Sequence, residues 1–185
     1  AAPAFFALAA AEQLVIDNEL RDFRLGGAEL DATGKARFKE IQQALAELSA
    51  KFDDNVLDAT NAWSLLVDDV GDLAGVPADV VAAARREAEA DGRAGWKLTL
   101  RSPCYFPVMQ YADNRALRAA LHRGHVTRAS ELGASPQWDN TDIIVRTLAL
   151  RAEEARLLGY ANFAELSLVP KMAESPADVL AFLRD

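Results

Sequence analysis

The stretch LHRGHVTRAS (Leu121–Ser130) holds both histidines of the chain, His122 and His125, three residues apart. On a helix, at about 100° per residue, they stand about 60° apart, so two imidazoles could reach one metal ion. A hydrolytic zinc helix carries His-Glu-x-x-His, in which the glutamate takes a proton from the metal-bound water. Here Arg123 follows the first histidine and places a positive charge where the ion would sit. No carboxylate lies between the histidines, and Glu131 comes only later. His125 falls on the apolar stripe of Leu117 and Leu121 and reads as a half-buried core histidine, with His122 off that stripe and toward solvent. The pair is expected to bind no metal.

Other chemistries are weaker still. Ser102, Ser130 and Ser135 lack a G-x-S-x-G context, and no motif ties Cys104 to either histidine. LGG (Leu25–Gly27) and DDVGDLAG (from Asp68) lack the glycine spacing of a phosphate loop. The neighbouring carboxylates Glu153 and Glu154, or Asp53 and Asp54, read as solvated helix faces rather than an acid/base couple. Tyr105, Phe106 and Tyr111, near Met109, could line a groove, but their spacing favours core packing. No catalytic, metal-binding or cofactor-binding residue is therefore assigned.

The elements that would position these side chains are mostly helical. From Leu30 to Trp63, Phe38, Ile41, Leu45, Leu48, Phe52 and Leu57 trace one stripe at helical spacing. Asp31 or Thr33 can cap its start. WSLLVDDV and GWKLTL read as short strands, at about residues 63–68 and 95–100, and are expected to pair as a small ribbon. Between them Pro77 marks a helix start and Gly92 a stop, so 63–100 forms a strand-helix-strand insert. Pro107 limits or bends any helix through PCYFPVMQY. Asp113 can cap the helix that carries the histidines. Asp139 or Asn140 can cap the next, which Gly159 closes. Asn162 with Glu165 has capping-box spacing, and Ser175 with Pro176 starts a last helix. That pattern runs to the final residue with no stop signal, which predicts a chain ending inside a helix. The fold expected is mainly α, a multi-helix array with long helices plus a two-stranded β element, with residues 1–185 as a single segment of a longer protein.

Composition sets the outer bounds. The chain has 185 residues, 51% of them hydrophobic, and a net charge of −8 from 20 basic and 28 acidic residues. That balance disfavours nucleic acid and anionic membranes as partners. A single cysteine excludes an internal disulfide and fits a reducing compartment. AAPAFFALAA, at the start, lacks the basic flank of a signal peptide, and no stretch approaches the roughly 20 apolar residues of a membrane helix. A soluble, cytoplasmic chain is expected.

Several stretches go beyond generic helix. FRLGG (Phe23–Gly27), NVLDATNAW (Asn55–Trp63), YFPVMQYADNRALR (Tyr105–Arg118), TRASELG (Thr127–Gly133), the long WDNTDIIVRTLALRAEEARLLGYANFAELSL (Trp138–Leu168) and KMAESPADVLAFL (Lys171–Leu183) follow in order. Together they resemble the thimet-oligopeptidase-like zinc metallopeptidases. The resemblance runs from about Arg21 to the end and implies a longer, almost wholly helical enzyme. Two lobes of such an enzyme flank a channel that admits short peptides. It also implies a zinc held by a His-Glu-x-x-His helix, a motif absent from this sequence, so none of the family's metal or catalytic residues maps onto a position here. This chain would then supply architecture and part of the channel wall. Its partners would be short peptides in the parent protein and a missing C-terminal catalytic lobe, with zinc in the parent and none in this chain. Alone it would cleave nothing and could self-associate through uncovered faces. The alternative is a non-catalytic helical module that binds peptides or other partners. A small metalloprotein using His122 and His125 is a distant third.

Overall fold

Asp31 starts the longest helix: its carboxylate accepts a hydrogen bond from the Gly34 N–H at 2.7 Å, satisfying one of the free donors of the first turn. The helix that follows, α2, runs Ala32–Ala62 in a computed structural model that describes residues 5–185. The first four residues of the apolar opening lie outside the described residues. At about 1.5 Å per residue, α2 is roughly 46 Å long. Before it stands α1 (Ala10–Leu25). After it come β1 (Ser64–Val67), α3 (Ala78–Ala90), β2 (Trp96–Thr99), α4 (Ser102–Tyr111), α5 (Arg115–Thr127), α6 (Thr141–Leu157), α7 (Phe163–Leu168) and α8 (Pro176–Phe182). The expected class, helices with one small ribbon, is what the chain adopts.

The predicted stripe of α2 holds as far as Phe52 and then departs. Ile41 is fully buried and Phe38, Leu45, Leu48 and Phe52 are half-buried, but Leu57 is 58% exposed. The seam continues instead through Asn55 and Ala59, both buried. A step of five leaves the helix face, whereas 38, 41, 45, 48, 52, 55 and 59 alternate by three and four. Keeping that alternation brings an asparagine into the interior.

By its contacts the chain divides into two compact units, one of residues 1–48 and 145–185, the other of residues 49–144. Both boundaries fall inside unbroken helices, α2 and α6, where the sequence offers no glycine, proline or turn signal.

The second unit holds the strand-helix-strand insert. β1 and β2 pair antiparallel, with Leu65 opposite Leu98 and Val67 opposite Trp96. The unit's apolar core includes Val67 and Leu98 from the ribbon, Leu100 just after it, Ala84 from α3, Tyr105 and Val108 from α4, and Leu117 and Leu121 from α5. α3 closes at Gly92 (φ +70), where the Arg93 N–H returns to the Ala88 carbonyl. Pro107 does not end α4. The hydrogen bond its missing N–H forgoes would go to Pro103, still within the first turn, so little is lost. Asn114, not Asp113, caps α5, its side chain accepting from the Leu117 N–H at 3.1 Å. Asp113 is instead engaged through its own backbone, with its N–H bonded to the Ala74 carbonyl.

In the first unit, Ile41, Ala155 and Leu166 are buried. Arg37 grips Glu153 through two parallel hydrogen bonds of 2.6 and 2.9 Å, and Gln42 donates to Glu154 at 2.7 Å. Asn162 and Glu165 cap α7 reciprocally, and Ser175 caps α8, as their spacing predicts. α8 closes at Phe182, short of Asp185, where the sequence pattern alone would carry it to the last residue. No helix of the described residues is long and apolar enough to cross a membrane.

Candidate functional site

α5 is the element that places the two histidines. Its buried face is built on Leu117 and Leu121, and one further turn brings His125 over the ring of Tyr105. The two rings stack with centroids 4.2 Å apart and 14° between their planes. Burial holds the imidazole below its ordinary pKa, and the positive charges of Arg128 and, when protonated, His122 push the same way. His122 lies on the exposed side of the helix. Among the described residues, no three His, Cys, Asp or Glu side chains come together as a ligand set.

Cys104 sits half-buried at the start of α4 and accepts a hydrogen bond from the Thr99 N–H at 3.4 Å. Burial nevertheless pushes its thiol pKa up, away from the reactive thiolate. Of the aromatic group, Tyr105 is in the core and Met109 packs against it, as spacing suggested. Phe106 and Tyr111 do not join them, at 54% and 55% exposure. With Tyr105, Val108 and Ala112 turned inward, residues 106 and 111 fall off that face of α4, on either flank of it. The Glu153–Glu154 pair is also not a plain solvated face, since Arg37 and Gln42 engage the two carboxylates. The Arg37 guanidinium holds the Glu153 carboxyl below the usual carboxylate range.

What the structure does assemble is a cavity of about 430 Å³ within residues 59–138, between the end of α2, α5 and the segment that follows α5. Trp63 and Trp138 are among its walls, with Leu132, Arg123 and Arg128, and small residues keep it open. Gly124 is essential to that shape. A Cβ there would lie 2.5 Å from Cε2 and Nε1 of Trp63, so only glycine lets the indole rest against α5. Arg128 is anchored by a hydrogen bond from its Nη1 to the His125 carbonyl, and its Nε is buried with no acceptor among the described residues. Beyond α5, Ala129 takes a left-handed φ of 51°, and its carbonyl accepts from the Asn140 N–H. Sequence reasoning missed this site. In sequence Arg123 reads only as a charge that repels metal, and Trp63 and Trp138 sit at the ends of two family-like segments that assign them no role.

A buried amide pair lies beside it. Asn55 donates to Asn140 Oδ1 at 2.8 Å, and Asn140 in turn donates to the Phe52 carbonyl at 3.2 Å. Asn140 is thus occupied with α2, and the side chain that caps the first N–H of α6 is Asp139, 2.9 Å from the Thr141 nitrogen.

Residues 108–185 match the family model of peptidase family M3. Over 176 residues the chain is 47% identical to oligopeptidase A of Salmonella typhimurium, an alignment covering 95% of this chain and 26% of that protein. It is 45% identical to oligopeptidase A of Haemophilus influenzae over 94% of this chain and 26% of the relative. The chain is related to the M3 peptidases. A dipeptidyl carboxypeptidase of Escherichia coli is 31% identical over 88% of this chain. The chain spans about a quarter of the length of these curated relatives. The M3 match takes in the α5 side of the cavity, with Arg123, Gly124, Arg128 and Trp138, while Trp63 lies before it.

Proposed function

We propose that this chain is the N-terminal, channel-wall portion of a cytoplasmic, zinc-dependent oligopeptidase that hydrolyses short peptides. The observation that carries this reading is the 47% identity to an oligopeptidase A along nearly the whole of this chain but only a quarter of that relative. Identity of that extent supports a shared fold over the aligned part, and the relative's name supplies the reaction class. In this reading the zinc ligands and the general base belong to the rest of the parent protein. The fold described here contributes helices, a cavity and apolar surface to a C-terminal catalytic lobe. It takes no part in bond cleavage itself.

The test compares two proteins. The parent, expressed with the sequence that follows residue 185, should hydrolyse a quenched fluorescent peptide and lose that activity to a chelator. The purified 185-residue chain should show no turnover. Chelator-sensitive hydrolysis by the short chain alone would overturn the assignment, as would an inert parent protein.

A further inference from the structure

We propose that the cavity between Trp63 and Trp138 binds the carboxylate end of a peptide whose last residue is aromatic or branched apolar. The argument begins with charge. The chain carries a net charge of −8, yet two of the residues lining this cavity are arginines and none is acidic. Among the described residues, neither Arg123 nor Arg128 is in an ion pair. A locally cationic cavity in an acidic chain selects an anion, and a guanidinium suits a carboxylate because its planar fork matches the two oxygens.

Arg128 is held in place by its bond to the His125 carbonyl, and its buried Nε has no acceptor among the described residues. Its guanidinium is therefore fixed but not saturated. Arg123, on the exposed side of α5, adds a second charge that is free to close on a ligand. An anion alone would leave the rest of the site unused. Two indoles, Leu132 and several alanines make the remaining wall apolar, and about 430 Å³ is ample for one or two residues of a peptide. Inorganic phosphate satisfies the arginines and wastes that wall. A carboxylate carried on an apolar residue uses both. Gly124 and the small residues keep the space unfilled, a costly arrangement for a core but a useful one for a receptor.

That the carboxylate belongs to a peptide rests on the functional reading above; that the site prefers a carboxylate on an apolar group rests on the geometry alone. The experiment titrates the 185-residue chain with N-acetyl-phenylalanyl-leucine, with its C-terminal amide and with sodium acetate, following tryptophan fluorescence. The free acid should bind roughly tenfold or more tightly than the amide, a difference of about 1.4 kcal/mol, and acetate should not compete at equal concentration. Arg123→Gln should lower affinity for the acid by about tenfold and leave affinity for the amide unchanged. The substitution is on the exposed face of α5, and circular dichroism checks that the helix content is kept. Equal binding of acid and amide, acetate binding as tight as the peptide, or no saturable signal each overturns the proposal. A parent protein that hydrolyses peptides while this chain fails to discriminate would remove this inference alone. Discrimination without hydrolysis in the parent would remove the functional reading alone.

Discussion

Gly124 shows how one missing atom shapes the molecule. Alanine is a better helix former by about 1 kcal/mol, but its Cβ would be driven into the Trp63 indole at 2.5 Å. Overpacking of this kind costs about 1–3 kcal/mol. Gly124→Ala should therefore lower the urea midpoint of unfolding; a raised midpoint would show that Trp63 moves aside freely. The Asn55–Asn140 pair gives a second expectation. Asn140→Ala removes the side chain that accepts from the buried Asn55 amide and should cost about 1–3 kcal/mol in the same assay. His125 gives a third, with a sign. Its folded pKa lies below the ordinary value, so between the folded and unfolded values the unfolded chain binds more protons. The contribution of neutral His125 is complete above about pH 6.5 and falls away as the pH drops below it. His125→Phe, which keeps a ring over Tyr105, should flatten stability against pH in that range, and an unchanged slope would contradict the assignment.

Elements were the most legible part of the sequence. The start of α2 at Asp31, the stop of α3 at Gly92, the reciprocal cap of α7 and the Ser175 cap of α8 are local signals, written within four residues of the backbone they satisfy. What could not be read is who meets whom. Arg37 and Glu153 are 116 residues apart, and nothing in either neighbourhood names the other. Apolarity favours Leu57 for the stripe of α2, although only position 55 keeps the three-four alternation. The cavity is hidden for the same reason, being made by Trp63, Arg123, Arg128 and Trp138 from separate stretches. The Arg37–Glu153 contact carries its own prediction. Because Arg37 lowers the Glu153 carboxyl, the contact contributes above the ordinary glutamate pKa of about 4.3 and is lost as pH falls through the lower folded value. Glu153→Gln should thus destabilise at neutral pH and leave stability unchanged once the wild-type carboxyl is protonated. A penalty that persists in acid would mean that packing, not charge, holds these residues.

At the scale of the whole molecule, apolar surface is unevenly spread. In the first unit Leu14, Val15 and Phe23 of α1 are 60%, 61% and 65% exposed, and Val145 and Leu148 of α6 are 63% and 59% exposed. Near the end of the chain Phe182 and Leu183 are 81% and 71% exposed. Faces of this kind favour burial against another surface. The purified chain should therefore show a mass that rises with concentration in sedimentation equilibrium. A constant monomer mass into the high micromolar range would show that these side chains tolerate water. The division into two units has a further consequence, for the order of synthesis. Residues 49–144 are continuous, so a ribosome completes that unit before it has made any of 145–185. The other unit must wait, its first 48 residues held without their partners until residues 145–185 have been made. Leu14, Val15 and Phe23 of α1 are thus made before residues 49–144 and belong to the one of these two units that is completed later.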